Sequence, residues 1–244
     1  VPSGTSGKNL PTVILVHGGP TSRDYWGYRA DVQLLASRGY AVLQVNFRGS
    51  WGYGKNFTTA GFKQWGKKMQ DDITDGATWL VDQGVADKDK IAIFGSSYGG
   101  YSALAGVTFT PDVYACGIAY VGPSNLFTLL NNLPSYWEPE KEMLFEMIGH
   151  PVADSVLLYN ASPVFHTENI KVPLFIAQGG NDPRVRKEES EQMVDALRSR
   201  DQHVVYMLKE NEGHGFKLEE NRLEFYKAMM GFLAEQMPAT SIKP

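Results

Sequence analysis

Six short apolar runs, set apart by longer amphipathic stretches, restrict this chain to an α/β architecture with a mostly parallel sheet. The runs cover residues 12–16, 40–45, 90–94, 114–121, 172–177 and 203–208. They are unbroken and rich in β-branched residues, the pattern of strands covered by helices on both faces. A sheet with one wet face would alternate apolar and polar positions instead.

Five of the intervening stretches carry helical spacing. Residues 24–38 end at Gly39, which suits a C′ position, and residues 70–83 place Ile73, Ala77, Leu80 and Val81 on one face before Gly84. Residues 98–107 are small and apolar, as a helix buried against the sheet requires. Residues 187–200 and 219–237 have charged outer faces. Their apolar stripes are led by Met193, Val194 and Leu197 in the first and by Leu223, Tyr226 and Phe232 in the second. Residues 123–163 break the rhythm; long and rich in Pro, Tyr, Trp, Leu and Met, they are expected to form a lid or substrate wall. The tail, 238–244, is expected to be disordered.

A chain of 244 residues suits one α/β domain, here taken as residues 1–244. A net charge of −4 gives no reason to expect nucleic acid or an acidic membrane as partner. No apolar run approaches the roughly 20 residues of a membrane-spanning helix. The single cysteine, Cys116, excludes an intramolecular disulfide and reads as a small buried hydrophobe, so a cytoplasmic setting is expected. The opening Val-Pro-Ser-Gly-Thr-Ser-Gly has neither an initiator methionine nor a signal-peptide pattern, which points to a fragment of a longer parent or a processed chain.

The third apolar run leads into Gly95-Ser96-Ser97-Tyr98-Gly99-Gly100 and then a helical stretch. This is G-x-S-x-G in the setting that gives it meaning, strand to sharp turn to helix. A nucleophile on such a turn occupies a strained backbone position, and its neighbours must be glycines to clear the adjacent chain. Chance alone would produce the pattern about 0.1 times in a chain this long, before its context is counted. Ser97 is the candidate nucleophile, and Ser96 sits at the wrong place in the turn.

A serine hydroxyl needs a base within hydrogen-bond reach. Of His17, His150, His166, His203 and His214, only His214 lies in a glycine-flanked loop after the last strand and before the final helix. The acid that orients it should follow a strand between the two. Asp182, in the loop after residues 172–177, fits; Asp154 precedes that strand. The order Ser97, Asp182, His214 is that of the α/β-hydrolase fold. His17-Gly18-Gly19-Pro20 follows the first strand, where that fold supplies one oxyanion-binding N–H, and the second should come from Tyr98.

These blocks, with Asn46-Phe47-Arg48-Gly49-Ser50, Gly52-Tyr53-Gly54, Asn181-Asp182-Pro183-Arg184-Val185 and Glu212-Gly213-His214-Gly215-Phe216, resemble the catalytic domain of the prolyl oligopeptidase (S9) family of serine peptidases, most of all its acylaminoacyl-peptidase and dipeptidyl-peptidase-like members. The resemblance implies Ser97, Asp182 and His214 as the triad, and backbone donors at Gly19 and Tyr98. It also implies that Arg184 grips a carbonyl of the bound peptide. It implies an N-terminal β-propeller in the parent chain, which is absent from these 244 residues, as are the domain's usual first strands.

The expected activity is hydrolysis of short peptides or acyl-peptides through an acyl-enzyme on Ser97. The alternative is a carboxylesterase for small acyl esters, because Tyr136 and Trp137 could wall an acyl pocket as readily as a side-chain pocket. Neither a metal nor another cofactor is expected, since the histidines lack the His-x-x-x-His spacing of a zinc helix. Expected partners are the peptide substrate, the parent's propeller domain and a second copy in a homo-oligomer.

Overall fold

The computed structural model describes residues 1–239; residues 240–244, most of the tail expected to be disordered, lie outside the described residues. All six apolar runs form strands: β1 (Leu10–Val16), β2 (Ala41–Gln44), β3 (Ala86–Ser96), β4 (Cys116–Tyr120), β5 (Leu174–Gly179) and β6 (Val204–Lys209). They build one parallel sheet in the order β2-β1-β3-β4-β5-β6. Cys116 is fully buried in β4, and burial pushes its thiol pKa up to about 12.

Strand pleating divides the core in two. Ile14 and Val16 of β1 face α3 (Lys68–Asp82) and α4 (Tyr98–Phe109), while Val13 and Leu15 face α1 (Ala30–Ser37) and α9 (Glu219–Gln236). Helix α3 buries Met69, Ile73, Ala77 and Leu80, a stripe at 3.6-residue spacing. Almost every residue of α4 is buried, which is why its sequence is small and apolar. On α8 (Lys187–Arg198) Met193, Val194 and Leu197 are buried as expected.

Two sequence expectations need correction. The first helix starts at Ala30, not at residue 24. The backbone N–H of Asp24 is held by Asn46 Oδ1 at 2.8 Å and its carboxylate pairs with Arg29, so side-chain partners take this segment out of a helical path. The stripe of α9 is also shifted in part: Phe232 enters the core as expected, but Leu223 is exposed and Tyr226 only partly buried, and Phe225, Met229 and Leu233 take the core positions instead.

Residues 123–163 carry α5 (Leu126–Asn131), α6 (Lys141–Met147) and α7 (Ser155–Asn160), with a 3₁₀ turn at Ser135–Glu140. The segment is fastened to α8 by the buried Glu189, which accepts the N–H groups of Ser124 (3.0 Å) and Asn125 (2.9 Å) and the Thr128 hydroxyl. A short helix α2 (Lys55–Thr59) completes the set. Among the described residues no helix is long and apolar enough to cross a membrane.

Candidate active site

The site lies at the carboxyl ends of the central strands, where loops leave the sheet. β3 ends at Ser96 and α4 begins at Tyr98, so Ser97 alone makes the turn, at φ 60° and ψ −119°. That conformation is costly for a residue with a β-carbon and is tolerated where the surroundings fix it. They do so through close approach: a β-carbon on Gly95 would meet the Gly99 carbonyl carbon at 2.4 Å, and one on Gly99 would meet the Val16 carbonyl oxygen at 2.1 Å. The G-x-S-x-G spacing is thus the spacing of backbone contacts between β1, β3 and α4.

The three sequence-separated candidates meet. Ser97 Oγ lies 2.9 Å from His214 Nε2, and His214 Nδ1 lies 2.7 Å from Asp182 Oδ2. A carboxylate can only accept, so the proton sits on Nδ1 and leaves Nε2 free to accept from the serine. The Asp182 side chain is fully buried and its other oxygen accepts the N–H groups of Arg184 (2.9 Å) and Val185 (3.0 Å). Asp154, the alternative acid, instead pairs with Lys63.

Two residues to which the sequence assigns no role hold these loops in place. Gln178, buried at the end of β5, donates to the Val185 carbonyl at 2.9 Å and accepts from Ser190. Glu212, also buried, accepts from the N–H groups of Lys217 (2.7 Å) and Leu218 (2.9 Å) and from Asn221 (2.8 Å), closing the His214 loop on itself. Burial acts to raise its pKa, but these donors outweigh it and hold the carboxyl below the usual range. The sequence signal for Gln178 is a polar side chain at the end of an apolar run, whereas Glu212 stands among polar loop residues and only its place beside His214 marks it.

Gly18 abuts the nucleophile: a β-carbon there would lie 3.4 Å from Ser97 Cβ. Gly19 and Tyr98 both line the cavity beside Ser97, and the Tyr98 N–H belongs to the first turn of α4, where backbone donors lack an intrahelical acceptor. His17 braces this loop, with Nδ1 on the Gly18 carbonyl (2.8 Å), Nε2 on Ser50 Oγ (2.9 Å) and its ring stacked on Phe47. Burial lowers its pKa, which favours the neutral ring.

The cavity beside Ser97, of about 70 Å³, is apolar: Trp65, Leu129, Leu133, Trp137, Leu144 and Ile148 are among its walls. Arg184 stands at its rim with the guanidinium 5.8 Å from the Trp137 ring centre. Tyr136 does not face this cavity; it lines an outer one with Arg184 and His214. A wider groove of about 660 Å³ continues past Gly19 and Pro20 toward Trp51 and Met143. Among the described residues no group of three or more His, Cys, Asp or Glu side chains could hold a metal ion.

The model of the prolyl oligopeptidase family, Peptidase_S9, matches residues 26–240. The chain belongs to that family. Within the prolyl oligopeptidase family it is 50% identical over 234 residues to dipeptidyl aminopeptidase BIII of Pseudoxanthomonas mexicana, covering 95% of this chain and 34% of the relative. It is 43% identical over 226 residues to dipeptidyl peptidase family member 6 of Caenorhabditis elegans, covering 91% and 30%. A puromycin-hydrolyzing peptidase of Mycobacterium tuberculosis superposes with a TM-score of 0.91 at 31% identity, over 98% of this chain and 36% of that one. The chain therefore spans about a third of the length of these prolyl oligopeptidase family relatives.

Proposed function

We propose that this chain is a serine peptidase that hydrolyses short peptides through an acyl-enzyme on Ser97. The observation that carries the reading is the unbroken hydrogen-bonded line from Ser97 through His214 to the buried Asp182. In this mechanism Ser97 Oγ attacks the scissile carbonyl while His214 Nε2 takes its proton. Asp182 fixes the tautomer and stabilises the imidazolium. The backbone N–H groups of Gly19 and Tyr98 receive the oxyanion. His214 then protonates the departing amine, and water, deprotonated by the same imidazole, hydrolyses the ester.

The apolar cavity takes the side chain on the acyl side of the scissile bond. Its walls, Trp65, Leu129, Leu133, Trp137, Leu144 and Ile148 among them, suit an apolar side chain. Trp137 is one of its walls and residues 123–163 act as substrate wall and lid. Arg184, at the rim, donates to a peptide carbonyl further along the acyl side, and Tyr136 flanks it. The peptidase names of the relatives favour this reading over the carboxylesterase, and the two dipeptidyl names favour release of dipeptides. A separate N-terminal domain belongs to the same reading, supported by the greater length of the relatives; a homo-oligomer and a cytoplasmic setting are proposed beside it.

The test is turnover of dipeptidyl and N-acetyl-aminoacyl p-nitroanilides by wild type and Ser97→Ala. Anilide cleavage that vanishes in a folded Ser97→Ala protein is the expected result. Cleavage that survives the substitution overturns the assignment.

A further inference from the structure

Tyr120, the last residue of β4, touches the supports of Ser97, Asp182 and His214 at once. In the sheet it is registered opposite Ser96 on one side and Ala177 on the other. Its carbonyl accepts the N–H of Ser97 at 2.9 Å, so the turn that carries the serine is pinned to it. The next residue, Val121, donates its N–H to the Ala177 carbonyl at 2.8 Å, on the strand that leads to Asp182. Its side chain then reaches the third support: the Tyr120 hydroxyl accepts the backbone N–H of Phe216, two residues beyond His214.

The loop needs such an anchor. His214 lies between Gly213 and Gly215, and Gly215 has φ +97°, so the backbone around the imidazole has wide freedom of its own. The Glu212 carboxylate closes the loop on itself, and its carbonyl accepts from Asn181 beside the acid; neither contact ties the loop to the strand pair that carries Ser97. The Tyr120 hydroxyl does. It lies 3.7 Å from where a β-carbon on Gly215 would stand, beneath the loop. Its ring is stacked on Phe225 at 4.5 Å and meets Phe216 edge-on at 5.0 Å, which fixes where the hydroxyl points. Burial raises the phenol pKa, so the oxygen remains a neutral acceptor.

We propose that Tyr120 is a positioning residue: its hydroxyl holds the His214 loop in register with Ser97, through a strand residue whose backbone also holds Ser97. The inference rests on Ser97 and His214 acting as proposed above. It is a claim about geometry at the reacting atoms, where a displacement of about 1 Å can cost about 100-fold in rate. Loss of one anchor among several is expected to cost less, about tenfold.

Tyr120→Phe removes the hydroxyl and keeps the ring. The rate of covalent labelling by a fluorophosphonate is expected to fall about tenfold relative to wild type. The kcat for an anilide substrate should fall likewise, with KM within about twofold. A merely structural tyrosine would lower the melting temperature and leave both rates of the folded protein unchanged; that outcome overturns the inference. Amide hydrogen exchange of the wild-type protein supplies a test that needs no variant. Slow exchange at Phe216 is expected, and exchange as fast as in an unstructured loop overturns it. If the wild type is not labelled at all, the serine-hydrolase reading fails and the inference with it, whereas equal labelling of wild type and Tyr120→Phe sinks the inference alone.

Discussion

Gly179 and Gly213 lie so close that a β-carbon on the first would stand 2.1 Å from the carbonyl oxygen of the second. One glycine ends the strand that leads to Asp182, and the other precedes His214. Their contact sets the separation of the two loops, and with it the 2.7 Å bond between imidazole and carboxylate.

Gly179→Ala should therefore drive the loops apart. The added carbon meets backbone on both Glu212 and Gly213, which cannot swing away as a flexible side chain would. Overpacking of this kind costs about 1–3 kcal/mol of stability. We expect kcat to fall at least about tenfold, because the imidazole moves with the loop. Thermal melting together with anilide turnover checks this; wild-type kcat in the variant would refute it.

The φ of 60° at Ser97 predicts an unusual order of stability among inactive variants. Where the backbone is one that a β-carbon tolerates, alanine in place of glycine ordinarily stabilises a fold, by roughly 0.4–1 kcal/mol. Here the β-carbon itself is strained, at a cost on the order of 1–3 kcal/mol. Ser97→Gly should therefore be more stable than Ser97→Ala by about 1 kcal/mol, with neither turning over substrate. Urea unfolding of the pair decides it, and a more stable alanine variant would contradict the strain.

Glu212 makes the stability of the His214 loop depend on pH. Its carboxyl is held below the usual range in the folded chain, whereas the unfolded chain titrates near the ordinary value of about 4.3. A depressed folded pKa contributes stability that is fully present above the unfolded value and is lost as pH falls through the folded one. Glu212→Gln should thus be less stable than wild type at neutral pH by about 1–3 kcal/mol, since the Lys217 N–H loses its acceptor. The gap should narrow as the pH is lowered past 4. Unfolding curves taken at intervals from pH 3 to 7 measure it, and a gap that does not change with pH would argue against the carboxylate as the source.

The local sequence determined the strands, the order Ser97, Asp182, His214 along the chain and the glycines around them. Those features follow from short-range rules: apolar runs doubly covered must be strands, and a turn with positive φ or a backbone in contact with backbone excludes side chains. The start of α1 was not legible, because helical spacing over residues 24–29 is overruled by Asn46 and Arg29, which hold Asp24 outside the helix. The face of α9 was misread for a similar reason: Leu223 and Phe225 both have the chemistry for a core, and only the seat of the helix against Phe175 and Tyr120 selects Phe225.

The supports of the candidate site belong wholly to the tertiary structure. Gln178, Glu212 and Tyr120 have roles that depend on which backbone N–H groups and carbonyls the folding of distant loops leaves beside them. The donor that meets Tyr120 is 96 residues away in the chain. No spacing rule spans that distance, because a hydrogen bond between remote segments is set by where the sheet brings them, whereas a strained turn is set by its own few residues.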